Sequence, residues 1–256
     1  MLHERRNDIV EKIMRTGTVK IADLAQEYGV SIETIRRDLE CLEKYGYLNR
    51  VYGGAVSNKS YSREPTYESR EVTNYAEKQA IAAVAASYID NGSTLFMDVG
   101  TTSLEVARCL NGKKDLTVIT NATKMAQSIL AGDNNKIVLL GGVLRDGELS
   151  VSGFLAEQNL ALFHVNTAVI GVGGITMNGI TDYHIEEANL RRALLTRADK
   201  IIAVADHSKF GVVAMNWICP LSQISMLITD WLTPPRALLE YRAAGVEVVV
   251  APQPQR

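Results

Sequence analysis

The chain has few cysteines, no long apolar run and no excess of positive charge, and each shortage narrows the reading. Cys41, Cys109 and Cys219 lie far apart in the 256 residues. Their spacing fits neither a zinc site nor a redox pair, so no metal and no cofactor are expected. No apolar run approaches the roughly 20 residues of a membrane helix. The N-terminal Met-Leu-His-Glu-Arg-Arg leads into an amphipathic segment rather than a signal-peptide core, so a cytoplasmic protein is expected. The formal net charge is −2, which counts against a globally basic nucleic-acid binder. Residues 1–58 hold nine basic and nine acidic side chains. Any nucleic-acid affinity there must come from where the charges sit, or from several copies acting together. What remains, 46% hydrophobic and 22% charged residues, is ordinary for a globular protein of one or two domains.

The most informative stretch runs from Ser31 to Tyr45. Ser31 is suited to cap a helix by accepting an orphan backbone N–H. Ile32, Ile35, Leu39 and Leu42 follow at helical spacing and define an apolar face. Glu33, Arg37, Glu40 and Lys44 fall opposite, with Thr34 and Arg36 on the flanks. Alone, this is more readily a solvated helix with Glu33–Arg37 and Glu40–Lys44 pairs. Its neighbours decide. Residues 4–15 read as a helix with Ile9, Val10, Ile13 and Met14 on one face, ended by Gly17. Thr18 is suited to cap a second helix carrying Ile21, Leu24, Ala25 and Tyr28. Gly29 supplies the left-handed residue that stops it, and only Val30 separates Gly29 from Ser31. Two short helices joined so tightly form a helix-turn-helix pattern, over about residues 20–39. Tyr47, Val51, Tyr52 and Val56 then favour strands, and Gly53-Gly54 can turn them into a hairpin, the wing of a winged helix.

The run "TVKIADLAQEYGVSIETIRRDLECLEKYGYLNRVYGGAV" resembles the helix-turn-helix signature of DeoR-type bacterial transcriptional regulators. Its core is "TIRRDL…LE", a glycine and then "R-x-Y-G-G-A". Residues 1–57 are expected to be this DNA-binding domain. Thr34, Arg36 and Arg37 would reach base edges or phosphates, while Ser31 and Arg50 would hold the DNA backbone. Residues 58–75 are polar, include Pro65 and read as a linker. From 76 to 256 the composition changes. "TLFMDVG", "LTVIT", "KIVLLGG", "TAVIGVGG", "KIIAVAD", "ISMLITD" and "VEVVV" read as strands, with helices between them over 102–110, 122–130, 154–163, 185–198 and 234–244. No sequence repeat is evident. The alternation predicts a mostly parallel α/β sheet covered on both faces.

Ligands collect at the carboxyl ends of such strands. The first end reads Asp98-Val-Gly100-Thr101-Thr102-Ser103, where backbone amides and hydroxyls can hold an anion at a helix start. The same residues equally make an ordinary capped loop. Other ends offer Asn121, Gly142 with Arg145, Gly171, and Asp206 with Lys209. Arg145 and Lys209 can neutralise a phosphate or serve as surface cations. Asp98, Asn121 and Asp206 can bind sugar hydroxyls. Together these ends favour a small phosphorylated ligand.

The order "EKQAIAAVAA…MDVGTTSLEVA…ITNA…LLGG…TAVIGVGGI…ADKIIAVADHSKFG…ITD" resembles the sensor domain of the DeoR family, which is similar to ribose-5-phosphate isomerase. The resemblance implies a repressor of a carbohydrate-utilisation operon, governed by a phosphorylated sugar or related metabolite. Its partners would be double-stranded operator DNA and further copies of itself, as a dimer or tetramer. The competing reading is a sugar-phosphate isomerase with an accessory N-terminal domain, and a third takes the winged helix as a protein-interaction module. Isomerisation needs a positioned carboxylate. Where those enzymes carry an acidic pair this chain has Gly173-Gly174, and Arg191 falls near their base glutamate. Asp182, His184, Glu186 and Glu187 lie nearby and leave a displaced base open, but no catalytic residue is expected.

Overall fold

The computed structural model describes residues 2–44, 47–57, 64–129 and 134–254. Part of the expected 58–75 linker, Tyr45, and the end of the expected 122–130 helix lie outside these residues, as does the Met14 side chain. The chain divides into two compact units, Met1–Thr73 and Asn74–Arg256.

The first unit contains α1 (Leu2–Thr16), β1 (Thr18–Lys20), α2 (Ile21–Tyr28), α3 (Ile32–Lys44), β2 (Leu48–Val51), β3 (Gly54–Ser57) and α4 (Tyr67–Val72). Ile9 and Ile13 of α1 meet Leu24 of α2, Ile35, Leu39 and Leu42 of α3, and Leu48 and Ala55 of the hairpin. Among the described side chains, the periodic positions fall in the core or in its partly buried margin in all but one place. Ile32, at the start of the apolar stripe of α3, is 50% exposed and lies outside the core cluster. Thr18 also departs from expectation. It opens strand β1, and α2 starts after Lys20 with no side-chain cap. The extra strand pairs with β3, giving the order β1-β3-β2. The linker expectation also changes, since α4 occupies Tyr67–Val72 with Thr66 as its cap. Tyr47 Oη accepts from Ser69 Oγ at 3.0 Å, which ties α4 back to the first unit.

One buried charge fixes α3 against α1. Asp38, almost fully buried, accepts from Arg5 Nε and Arg6 Nε, each at 2.7 Å. It is the acidic member of "TIRRDL", so this part of the motif serves packing rather than DNA. The two wing glycines have separate causes. Gly53 adopts φ +79° in the two-residue turn between β2 and β3. Gly54 lies so close to β1 that a Cβ would come within 2.1 Å of the Val19 carbonyl oxygen.

The second unit contains α5 (Tyr75–Ser87), β4 (Thr94–Met97), α6 (Thr101–Cys109), β5 (Thr117–Thr120), α7 (Thr123–Ile129), β6 (Lys136–Leu139), β7 (Val143–Arg145), β8 (Ser150–Ser152), α8 (Phe154–Leu160), β9 (Val165–Gly171), β10 (Gly174–Thr176), β11 (Gly179–Asp182), α9 (Ile185–Leu194), β12 (Ala198–Val204), β13 (Asn216–Cys219), β14 (Met226–Asp230), α10 (Pro235–Ala243) and β15 (Glu247–Ala251). The seven expected strands form one parallel sheet in the order β15-β14-β12-β9-β4-β5-β6. The chain starts at β4, builds outward through β5 and β6, then returns to the other side of β4 with β9. That reversal makes β4/β9 the topological switch point. The antiparallel pieces, the hairpin β7–β8 and the sheet β10-β11-β13, were not legible as strands. They are three or four residues long, too short to carry a period.

Gly54→Ala should destabilise the first unit by about 3 kcal/mol, since backbone must move to admit the methyl. Gly53→Ala, which meets only positive-φ strain, should cost about 1 kcal/mol. Hydrogen exchange at the β1 and β3 amides measures both; equal effects would show that the close approach to Val19 is not the constraint.

Candidate functional site

The outward end of α3 is built by its cap. The Thr34 N–H donates to Ser31 Oγ at 3.1 Å, and Ser31 Oγ lies 2.8 Å from Thr34 Oγ1. Both hydroxyls are thereby engaged in starting the helix. Arg36 and Arg37 stand outward, 3.5 and 4.0 Å from the Glu33 carboxylate. Exposed pairs of this kind are worth little, so both guanidinium groups can exchange Glu33 for a stronger acceptor. Arg50 differs. Its backbone N–H and Nε both donate to Glu43, at 2.8 and 2.7 Å. These two bonds hold the Glu43 carboxyl below its usual pKa. They tie the wing to the C-terminal half of α3, so any phosphate contact by Arg50 competes with Glu43.

In the second unit the expected residues separate into three groups. Asp98, Gly100, Thr101, Thr102, Ser103, Asn121 and Gly171 come together at the switch point. The helix α6 begins after Gly100, which has φ +146° and provides no side-chain cap. The first N–H groups of a helix have no intrahelical partner. Asn121 Oδ1 accepts from the Val99 N–H at 3.2 Å, which fixes which end of the amide meets the backbone. A Cβ on Gly171 would lie 3.5 Å from Ser103 Oγ, and one on Gly100 would lie 3.6 Å from it. Ser103 Oγ and Asn121 Nδ2 are fully buried and have no hydrogen-bond partner among the described residues. Two buried polar groups left this way are costly unless something else binds them.

Gly142 and Arg145 belong to the β7–β8 hairpin. Gly142 directly precedes β7, has φ +156° and lies so close to β8 that a Cβ would sit 2.7 Å from the Ser152 carbonyl oxygen. Arg145 Nη1 lies 3.0 Å from Glu187 Oε1, which also accepts from Ser150 Oγ at 2.8 Å. Asp206 and Lys209 form the third group, at the end of β12. Asp206 accepts from Asn74 Nδ2 at 2.9 Å and from the Ser208 N–H at 3.0 Å. Burial opposes its charge, but Lys209, Lys78 and the Ser208 hydroxyl outweigh that and hold the carboxyl at about 2. His207 is structural: its backbone N–H and Nδ1 both contact the buried Asp230 carboxylate, at 2.7 and 3.1 Å.

Sequence reasoning missed the hub that joins these loops. Arg191, on α9, is buried and donates through Nε to Asp98 Oδ2 at 2.5 Å. Its Nη1 lies 2.6 Å from Asp182 Oδ2, and its Nη2 lies 3.9 Å from Glu187 Oε2. Burial opposes the charge on Arg191; the carboxylates of Asp182, Asp98 and Glu187 outweigh burial and raise its pKa. Asp98 behaves oppositely: burial outweighs Arg191 and pushes its carboxyl up to about 6. The available signal was the stripe of α9, where Glu187 and Arg191 share the buried face of Ala188, Leu190 and Leu194. The hub also disposes of two of the displaced bases. Asp182 and Glu187 are committed to arginines, and Glu186 lies on the exposed side of α9, 3.2 Å from His184 Nδ1.

The folded state retains the Asp98 proton up to about pH 6, whereas the unfolded chain loses it near the ordinary value of about 3.9. Its contribution to stability is therefore fully present below pH 4 and is lost as pH rises to 6. Asp98→Asn, which cannot titrate, should gain stability relative to the unmodified chain across this window. Both tryptophans, Trp217 and Trp231, lie in the second unit, so urea unfolding followed by their fluorescence reads this unit. A pH-independent difference between the two proteins would remove the assignment.

The comparisons with known proteins agree on both units. Residues 5–61 match the DeoR-like helix-turn-helix domain, and residues 73–231 match the DeoR C terminal sensor domain. The chain is 36% identical over 257 residues to the HTH-type transcriptional regulator YulB of Bacillus subtilis, covering 100% of this chain and 99% of that protein. It is 36% identical to the HTH-type transcriptional repressor GlcR of Bacillus subtilis, covering 96% and 94%. It is 32% identical to the glycerol-3-phosphate regulon repressor of Escherichia coli, covering 93% and 94%. Among solved structures, ribose 5-phosphate isomerase A from Methanocaldococcus jannaschii superposes with a TM-score of 0.39 at 13% identity, covering 54% of this chain and 55% of that one. Both domain models and relatives that match nearly end to end lead to one conclusion: the chain belongs to the DeoR family of DNA-binding transcriptional regulators and is not an enzyme.

Proposed function

We propose that this repressor acts on a carbohydrate-utilisation operon in the cytoplasm and binds operator DNA as a homo-oligomer through α3 and the wing. We further propose that a phosphorylated sugar or related metabolite at the β4–β9 switch point alters that binding. The DNA half rests on Arg36 and Arg37, exposed on the first turns of α3 and held, among the described residues, only by long contacts to Glu33. Arg5 and Arg6 are committed to Asp38, Lys12 to Glu27 and Arg50 to Glu43. One nearly neutral module with so much of its positive charge paired binds weakly, and joining modules on two half-sites restores affinity.

The effector half rests on one observation, the buried unpartnered donors Ser103 Oγ and Asn121 Nδ2 beside the uncapped start of α6. A phosphate oxygen accepts from such donors and from the N–H groups of the first turn, and the helix dipole favours its charge. Arg145 and Lys209 already face carboxylates, so helix N–H groups and neutral donors, rather than those cations, hold the phosphate. A relative named for its glycerol-3-phosphate regulon fits an effector of this class.

Arg36→Ala or Arg37→Ala should weaken operator binding by about 1–3 kcal/mol if the side chain is bidentate to guanine. Fluorescence anisotropy measures it, and unchanged affinity for both variants would refute the docking of α3. Binding should also fall steeply with salt as counterions compete for phosphates; a flat response would favour a protein-interaction module. A thermal-shift panel should raise the melting temperature with a phosphorylated sugar and not with its unphosphorylated parent. Ser103→Ala should lower the affinity for the responding compound about tenfold, the loss of one hydrogen bond to a charged group. A Ser103→Ala variant with unaltered affinity would move the phosphate elsewhere.

A further inference from the structure

Ile32 departs from the rest of its stripe: it is 50% exposed, whereas Ile35, Leu39 and Leu42 are buried. The part of its side chain left outside the core is open to a contact with a partner. The partner's nature follows from the neighbours. Ile32 and Arg36 are four residues apart and share one edge of α3, beside the first turn that Ser31 caps. The N-terminal turns of a recognition helix are the part that meets base edges in the major groove. The apolar group displayed in that groove is the C5-methyl of thymine.

We propose that Ile32 is a specificity-determining residue that packs against the C5-methyl of a thymine in each half-site. The inference rests on the docking of α3 proposed above and adds a base preference to it. Four residues of helix span about 6 Å, or close to two base-pair steps of about 3.4 Å. The thymine read by Ile32 therefore lies within about two base pairs of the base contacted by Arg36.

The test uses the full chain and the duplex that it selects from a randomised DNA library. Each thymine is replaced in turn by uracil, which removes only the C5-methyl, and binding is followed by fluorescence anisotropy. The unmodified protein should lose about fourfold in affinity at one position per half-site, the worth of one buried methyl group. Ile32→Ala should lose a similar factor on the thymine duplex and become indifferent to uracil at that position, while Ile32→Val keeps most of the sensitivity. Because Ile32 is outside the core, circular dichroism should show an unchanged fold. A flat uracil scan, or an Ile32→Ala scan identical to that of the unmodified chain, overturns the proposal. Arg36→Ala and Arg37→Ala on the same duplex separate the two levels. If they weaken binding while the uracil scan is flat, only the role of Ile32 fails; if neither weakens it, the docking of α3 fails too.

Discussion

The sensor unit is organised around one buried cation. Arg191 reaches from α9 to Asp98 after β4, to Asp182 at the end of β11 and to Glu187 on its own helix. Through Glu187 the same network takes in Arg145 and Ser150 of the β7–β8 hairpin. Three carboxylates and two guanidinium groups leave one negative charge in excess. Buried networks of this kind are poor sources of net stability, because desolvation offsets most of the attraction. They do, however, tie together side chains that arrive on separate elements: the loop after β4, the end of β11, the β7–β8 hairpin and α9.

The hub also engages the carboxylates nearest the switch point. An aldose–ketose interconversion needs a carboxylate that can take and return a proton. Here Asp98, Asp182 and Glu187 are all paired with Arg191. What the switch point offers is of another kind: two neutral buried donors, a helix start and two glycines, groups that suit the anion binding proposed above.

The DNA-binding unit repeats the same economy on a smaller scale. Asp38 draws Arg5 and Arg6 inward, and Glu43 draws Arg50 onto α3. Charges that a count of basic residues assigns to DNA are used in fixing α1 and the wing to the recognition helix. Arg36 and Arg37 stay exposed on the first turns of α3, beside the helix start that Ser31 caps.

Much of this was legible in the residues. The 3.6-residue period marked the buried positions of α1, α2 and α3. Gly29 beside Ser31 marked the tight turn, and Gly53-Gly54 marked the wing. The seven apolar runs marked the strands of the parallel sheet. Each of these signals is local, because a helix stripe, a left-handed residue or a strand buried on both faces is dictated by its own neighbours in the chain. The rest depended on contacts between distant residues. Ile32 follows the period but lacks anything above it to bury against. Thr18 can cap a helix, yet pairing with β3 makes it a strand. Arg50, Arg145 and Asp206 have the chemistry to meet a phosphate or a sugar, but Glu43, Glu187 and Asn74 reach them first. Sequence determined which elements form and which family the chain resembles; only the tertiary structure decided which polar groups are already engaged, because that depends on side chains brought together from far apart in the chain.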